Sequence, residues 1–84
     1  MTVSLLYFAW VRERIGAGSE AVEMDAPTAL GALVERLAGQ SEAHATALAD
    51  KARLRAAVNH DFVGWDHMVN PGDEVAIFPP VTGG

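Results

Sequence analysis

The group in this sequence best suited to chemistry is not a side chain. A strand-like stretch, Glu74-Val75-Ala76-Ile77-Phe78, runs into Pro79-Pro80-Val81-Thr82 and ends on Gly83-Gly84. The prolines stop the strand, because neither donates to a ladder and both fix φ. The glycines have no side chains to bury, and they leave the terminal carboxyl carbon clear of neighbouring Cβ atoms. Such an end can enter a narrow active site. From Val81 to Gly84 an extended chain reaches ~13–14 Å, at ~3.3–3.6 Å per residue. A terminal carboxyl has a pKa near ~3.3–3.7, so at neutral pH it is an anion and a poor electrophile. It must be activated before a nucleophile can attack it. The opposing reading is a frayed end with accidental glycines. Phe-Pro-Pro leaves a strand rather than a polar linker, which favours a tail that is presented.

The side chains offer less. The absence of cysteine removes disulfides, thiolate metal sites and cysteine nucleophiles together. His44, His60 and His67 show no HxxxH or HxH spacing. They read as solvated turn residues, not as metal ligands. Asp61, Asp66, Asp73 and Glu74 lie near turns. The Asp73-Glu74 pair reads as a boundary of the last strand, not as an acid/base pair. There is no glycine-rich phosphate loop and no Ser-His-Asp arrangement. No side chain is therefore expected to be catalytic, and no bound metal or cofactor is expected.

Six basic residues against eleven acidic ones give a net charge of −5 over 84 residues. That balance argues against a phosphate-backbone footprint and so against nucleic acid as a partner. The start, Met1 to Ala9, lacks a basic leader, and charges follow at Arg12, Glu13 and Arg14. It reads as a first strand rather than a signal peptide. No apolar run approaches the ~20 residues of a membrane span. A cytoplasmic chain fits these features.

The elements that must position the tail follow from periodicity. Val3 to Ala9 is a continuous apolar strand, with Val3, Leu5 and Tyr7 on one side and Leu6, Phe8 and Trp10 on the other. Apolar residues on both sides imply a strand covered twice. A short helical turn over 11–15 ends at Gly16, and an alternating second strand runs from Ser19 to Asp25. Thr28 reads as the N-cap of the main helix. Leu30, Leu33, Val34 and Leu37 fall at i, i+3, i+4 and i+7 and form its apolar stripe. Gly39 sits where a left-handed residue would end it. Ser41 would cap a second, shorter helix. Leu54 to Asn59 is a third strand, Asn59-His60-Asp61 a turn, and Phe62-Val63 a brief strand. Asn70-Pro71-Gly72-Asp73 suits a type II turn.

The order strand, strand, helix, strand, short strand, strand predicts an α+β roll of the β-grasp type. It is a mixed sheet of four to five strands packed on one main helix plus short helices. One domain spans 1–84, with 79–84 as a flexible extended tail. The first and last strands are expected to pair in parallel at the sheet centre. If the helix covers Val3, Leu5, Tyr7, Val75 and Ile77, the other face shows Leu6, Phe8, Ala76 and Phe78. Little chain remains to cover that face, and an exposed apolar patch marks a partner interface.

With these residues in view the chain resembles the small subunits of molybdopterin synthase, the MoaD family of ubiquitin-like sulfur carriers. The matching motifs are Leu6-Tyr7-Phe8-Ala9 with Val11-Arg12-Glu13, then Ala57-Val58-Asn59, then Gly72-Asp73-Glu74-Val75-Ala76-Ile77-Phe78-Pro79-Pro80-Val81-Thr82-Gly83-Gly84. The last of these is specific, and the resemblance covers the whole length. Trp10 and Asn70-Pro71 fall where the family varies. The resemblance implies a ubiquitin-activating-like adenylyltransferase that uses ATP on Gly84, with Gly83 beside it, and a sulfur donor that converts the end to a thiocarboxylate. It implies a large subunit that receives the tail and passes the sulfur to precursor Z in molybdenum cofactor biosynthesis. The usual assembly is a heterotetramer with two small subunits. Phe8, Phe62 and Phe78 would form the apolar contact, and Pro79, Pro80, Val81 and Thr82 would lead into the partner. Two further readings keep the same tail: a thiamine-type sulfur carrier, and a protein modifier conjugated to lysines through Gly84. A third reading is a plain binding module with an idle Gly-Gly. The long 40–51 segment and the Phe-Pro-Pro-Val-Thr-Gly-Gly end favour the molybdopterin reading over the thiamine one.

Overall fold

Strand pairing brings the first and last strands side by side at the middle of one sheet. The computed structural model describes residues 1–80. In chain order the elements are β1 (Thr2–Tyr7), α1 (Ala9–Ile15), β2 (Ser19–Glu23), β3 (Thr28–Ala29), α2 (Leu30–Ala38), α3 (Glu42–Leu48), a 3-10 turn (Lys51–Arg53), β4 (Arg55–Val58), β5 (Asp61–Val63), β6 (Met68–Val69) and β7 (Glu74–Phe78). The main sheet has the order β2-β1-β7-β4-β5. β1 and β7 pair in parallel, with Leu5 beside Val75 and Tyr7 beside Ile77. The other pairings of that sheet are antiparallel. This is the expected β-grasp architecture.

The helix-side face is made by alternation. Val3, Leu5, Tyr7, Val75 and Ile77 are buried, and they join the α2 stripe of Leu30, Leu33, Val34 and Leu37 in one apolar cluster. Each large side chain taken out of water there contributes roughly 1.5–3 kcal/mol. α1 and α3 add Val11, Ala47 and Leu48 to the same cluster. No helix among the described residues is long and apolar enough to cross a membrane.

Several local expectations are corrected. The first strand ends at Tyr7 rather than Ala9, because Val11 must reach the core and the chain turns into α1 at Phe8. Ala9 turns the corner in the left-handed region, at φ 52°. Phe8 is therefore the N-cap residue of α1 and Trp10 lies on that helix; neither is a strand residue. Thr28 does not cap α2. It pairs with Val69 in a separate two-residue ladder, and its hydroxyl donates to the Ala26 carbonyl at 3.1 Å. Gly39 is right-handed, with φ −80°. α2 closes instead through bonds from the Gly39 and Gln40 N–H groups back to its last turn, which leaves the chain directed into α3.

The turn readings hold. The Asp73 N–H bonds the Asn70 carbonyl at 3.0 Å, and Gly72 has φ +96°, as a type II turn requires. Asn59 and His60 both have positive φ, 50° and 75°. They make the two-residue hairpin loop between β4 and β5, a conformation that asparagine tolerates well. Ser41 caps α3, accepting from the His44 N–H at 3.1 Å.

Candidate functional site

The face of the sheet that the described residues leave uncovered is assembled one residue out of phase with the core. Leu6 on β1 lies beside Ala76, Ala57 on β4 lies opposite Ala76 and Phe62, and Arg55 lies opposite Phe78. Phe8 is still extended, with φ −130° and ψ 157°, so it continues the side of Leu6. Its N–H bonds the Ile77 carbonyl at 3.2 Å, which places it alongside the end of β7.

Phe62 is 83% exposed and Phe8 48%. Phe62 and Phe78 meet in a tilted pair with centroids 5.8 Å apart, a favourable aromatic geometry. Together with Arg55, Ala56 and Val63 they line a shallow groove of about 290 Å³. The structure thus unites Phe62 with Phe78 on one flank of β7 and sets Phe8 on the other. It does this with two small residues, Ala57 and Ala76, between the larger ones, so the patch is broad and low.

β7 ends at Phe78, and Pro79 and Pro80 continue beside a second cleft of about 470 Å³, lined by Trp10, Ala52, Arg53 and the two prolines. The Arg14 guanidinium lies 4.6 Å from the Trp10 ring centroid and that of Arg53 lies 5.7 Å from it, within cation–π range. The expected tail residues Val81, Thr82, Gly83 and Gly84 lie outside the described residues, as does the extended course expected for that tail.

The other end of the sheet is closed by hydrogen bonds. The Asp73 carboxylate accepts from the Asn70 N–H at 2.8 Å and from the Asn59 amide at 3.0 Å. The Asn59 side-chain oxygen accepts from the Glu74 N–H at 3.0 Å. These bonds, the backbone one first, hold the Asp73 carboxyl below the ordinary carboxylate range. Asp73 therefore bounds the last strand, as its position suggested.

One cluster was not anticipated. His44, read as a solvated turn residue, sits on α3 with its side chain only 14% exposed. Its Nε2 is 2.7 Å from a Glu20 carboxylate oxygen and its Nδ1 is 2.7 Å from the Ser41 hydroxyl. This is a Ser-His-Glu chain. Its serine oxygen already caps α3, so the cluster ties α3 to β2. The buried Tyr7 hydroxyl has no hydrogen-bond partner among the described residues. Burial, and then the Glu20 charge, push its pKa above the ordinary value. The only sequence signal for the cluster was the Ser41 cap three residues before His44. His60 is exposed and 3.7 Å from Glu74. Among the described residues no three His, Asp or Glu side chains gather as a metal site.

Comparison with known proteins agrees with this geometry. The ThiS family model matches residues 5–84. A curated relative, the molybdopterin synthase sulfur carrier subunit of Escherichia coli, is 49% identical over 82 residues, covering 98% of this chain and 99% of the relative. A solved structure described as a putative molybdopterin converting factor, subunit 1, from Pyrococcus furiosus is similar, with a TM-score of 0.78 and 28% identity over 96% of this chain and 99% of that one. The small archaeal modifier protein 1 of Haloferax volcanii is also similar, with a TM-score of 0.77 and 25% identity over 95% of this chain and 98% of that one. A domain whose last strand ends at Phe78 before two prolines, and whose described residues leave an aromatic sheet face uncovered, matches these proteins along its whole length, and the chain belongs to the ThiS family, among the molybdopterin synthase sulfur carrier subunits.

Proposed function

We propose that this chain is the sulfur-donating subunit of a molybdopterin synthase and that its working group is the Gly84 carboxylate. Adenylation would join a carboxylate oxygen to the α-phosphorus of ATP and release pyrophosphate. A sulfur nucleophile would then attack the carbonyl carbon of the mixed anhydride and expel AMP, leaving a thiocarboxylate. The adenylyltransferase, the sulfur donor and a large subunit that carries the acceptor, precursor Z, supply the remaining groups in a cytoplasmic cycle. ATP is the activating enzyme's substrate, not a cofactor of this chain.

The observation that supports the reading is positional. β7 lies at the sheet centre, bordered by an uncovered Phe62–Phe78 patch, and it runs directly into Pro79-Pro80. An extended 81–84 segment would span ~13–14 Å, so a partner holding that patch would be within reach of the carboxylate. The apolar face is the proposed contact with the large subunit, through Phe8, Phe62 and Phe78, and Pro79 to Thr82 lead the end inward. A heterotetramer of two small and two large subunits is the expected assembly.

The test is intact mass after incubation with ATP, a sulfur source and the cognate activating enzyme. A gain equal to sulfur minus oxygen, absent from a Gly84-deleted chain of unchanged fold, is expected. No gain with an enzyme proven competent on another carrier would reject the carrier chemistry. The likeness to an archaeal modifier protein favours one alternative, lysine conjugation through Gly84. Isopeptide adducts in lysate, in place of the mass gain, would establish it.

A further inference from the structure

The basic residues of this acidic chain are not spread evenly. Of its six, four lie at the end of the sheet from which Pro79 and Pro80 leave. Arg55 is opposite Phe78. Arg14 and Arg53 stack on Trp10, which lines the cleft beside the prolines. The Arg12 side chain lies against Gly18, whose carbonyl accepts from the Tyr7 N–H at the end of β1. All four arginines are exposed. Among the described residues none of them has a carboxylate within ion-pair distance, while Glu20, Glu23, Glu35 and Glu74 are each paired elsewhere. The neighbouring Asp50 carboxylate is engaged by the Ala52 N–H at 3.0 Å. A chain of net charge −5 therefore gathers a rim of four arginines, without ion pairs among the described residues, around the root of its tail, with Glu13 and Asp50 the acidic side chains nearest to them in sequence.

We infer that this rim docks on carboxylates: the large subunit surrounds the entrance that takes the tail with Asp and Glu side chains. These pair with Arg14, Arg53 and Arg55 while the Phe62–Phe78 patch fills the apolar centre. The inference rests on the reading in which a large subunit receives the tail. Its chemistry follows from the donors. Guanidinium forks match carboxylates bidentately, and arginine around an aromatic centre is the composition of a protein interface. A nucleic acid would meet the negative charge of the rest of the surface instead. Trp10 holds two of the forks against its ring, so less side-chain freedom is lost when they are engaged. Rim charges of this kind act mainly on association rate and its salt dependence.

The experiment measures association of the full chain with the purified large subunit at low and high salt, comparing Arg53→Glu and Arg14→Glu with Arg36→Glu. Arg36 donates to the Glu23 carbonyl at 2.9 Å, at the opposite end of the sheet, so its reversal makes the same change in net charge far from the tail. Arg53→Glu and Arg14→Glu should each slow association about 10-fold at low salt. The difference should vanish near ~1 M salt, where the screening length is about 3 Å. Arg36→Glu should stay near the parent rate. Equal slowing by all three variants, no slowing, or faster association for Arg53→Glu would each overturn the inference while leaving the sulfur-carrier reading standing. A parent chain that does not bind the large subunit at all would overturn both.

Discussion

On one face of the sheet Leu5, Tyr7, Val75 and Ile77 lie beneath α2 and its neighbours in a continuous apolar cluster. On the other, one residue along each strand, Leu6, Ala76, Phe78 and Phe62 meet no covering element among the described residues. The same alternation builds both faces, and both are apolar. What separates them is that the described residues supply helix over one face only. The covered face carries stability, and the open face is the one proposed to meet a partner. A substitution should therefore tell at once on which side of β1 or β7 it falls.

The largest contrast is expected from Leu5→Ala, which empties a fully buried site. It should cost about 2–5 kcal/mol in denaturant unfolding, with binding by the surviving folded fraction unchanged. Phe78→Ala should show the reverse pattern. It should weaken large-subunit binding by ~2 kcal/mol or more, as a hot spot would, with a much smaller change in the unfolding midpoint. An unchanged binding isotherm would move Phe78 out of the interface and erase the distinction between the faces.

A smaller effect, confined to the covered side, is expected from Ser41→Ala. It removes the α3 cap and the contact to His44 and should cost ~1 kcal/mol in thermal or denaturant unfolding, without touching binding. The smallest concerns the closed end of the sheet. The Asp73 carboxyl has a folded pKa below its unfolded value, so its contribution is present above the ordinary carboxylate pKa of ~3.9 and is lost as pH falls through the folded pKa. The stability gap between the parent chain and Asp73→Asn should narrow on acidification and stay flat above pH ~5. A gap that is constant through the acid range would show that the charge contributes nothing to closing the turn.

What the sequence determined by itself is what depends on neighbours along the chain. The i, i+3, i+4, i+7 stripe of α2, the strand alternation of β1 and β7, the Asn70–Asp73 turn and the proline stop after Phe78 each follow from local sterics and periodicity. With so few elements, local structure constrains the topology strongly, so the parallel pairing of first and last strands and the bare face were legible too. The Gly-Gly end could be proposed as the working group because the chemistry of a carboxylate flanked by glycines needs no fold to suggest it.

Only the tertiary structure decided the rest. Phe8 became the extended cap residue of α1 and Trp10 part of that helix because Val11 had a place in the core, and no local propensity announces that demand. Thr28 gave up its capping role because a strand partner, Val69, arrived from forty-one residues away. The Glu20–His44–Ser41 chain joins residues from β2 and α3, and the Arg14–Trp10–Arg53 stack joins α1 to the turn before β4. Hydrogen bonds and cation–π contacts act over a few ångströms of space, whatever the distance along the chain. The positive rim at the root of the tail therefore became visible only once the fold had brought its arginines together.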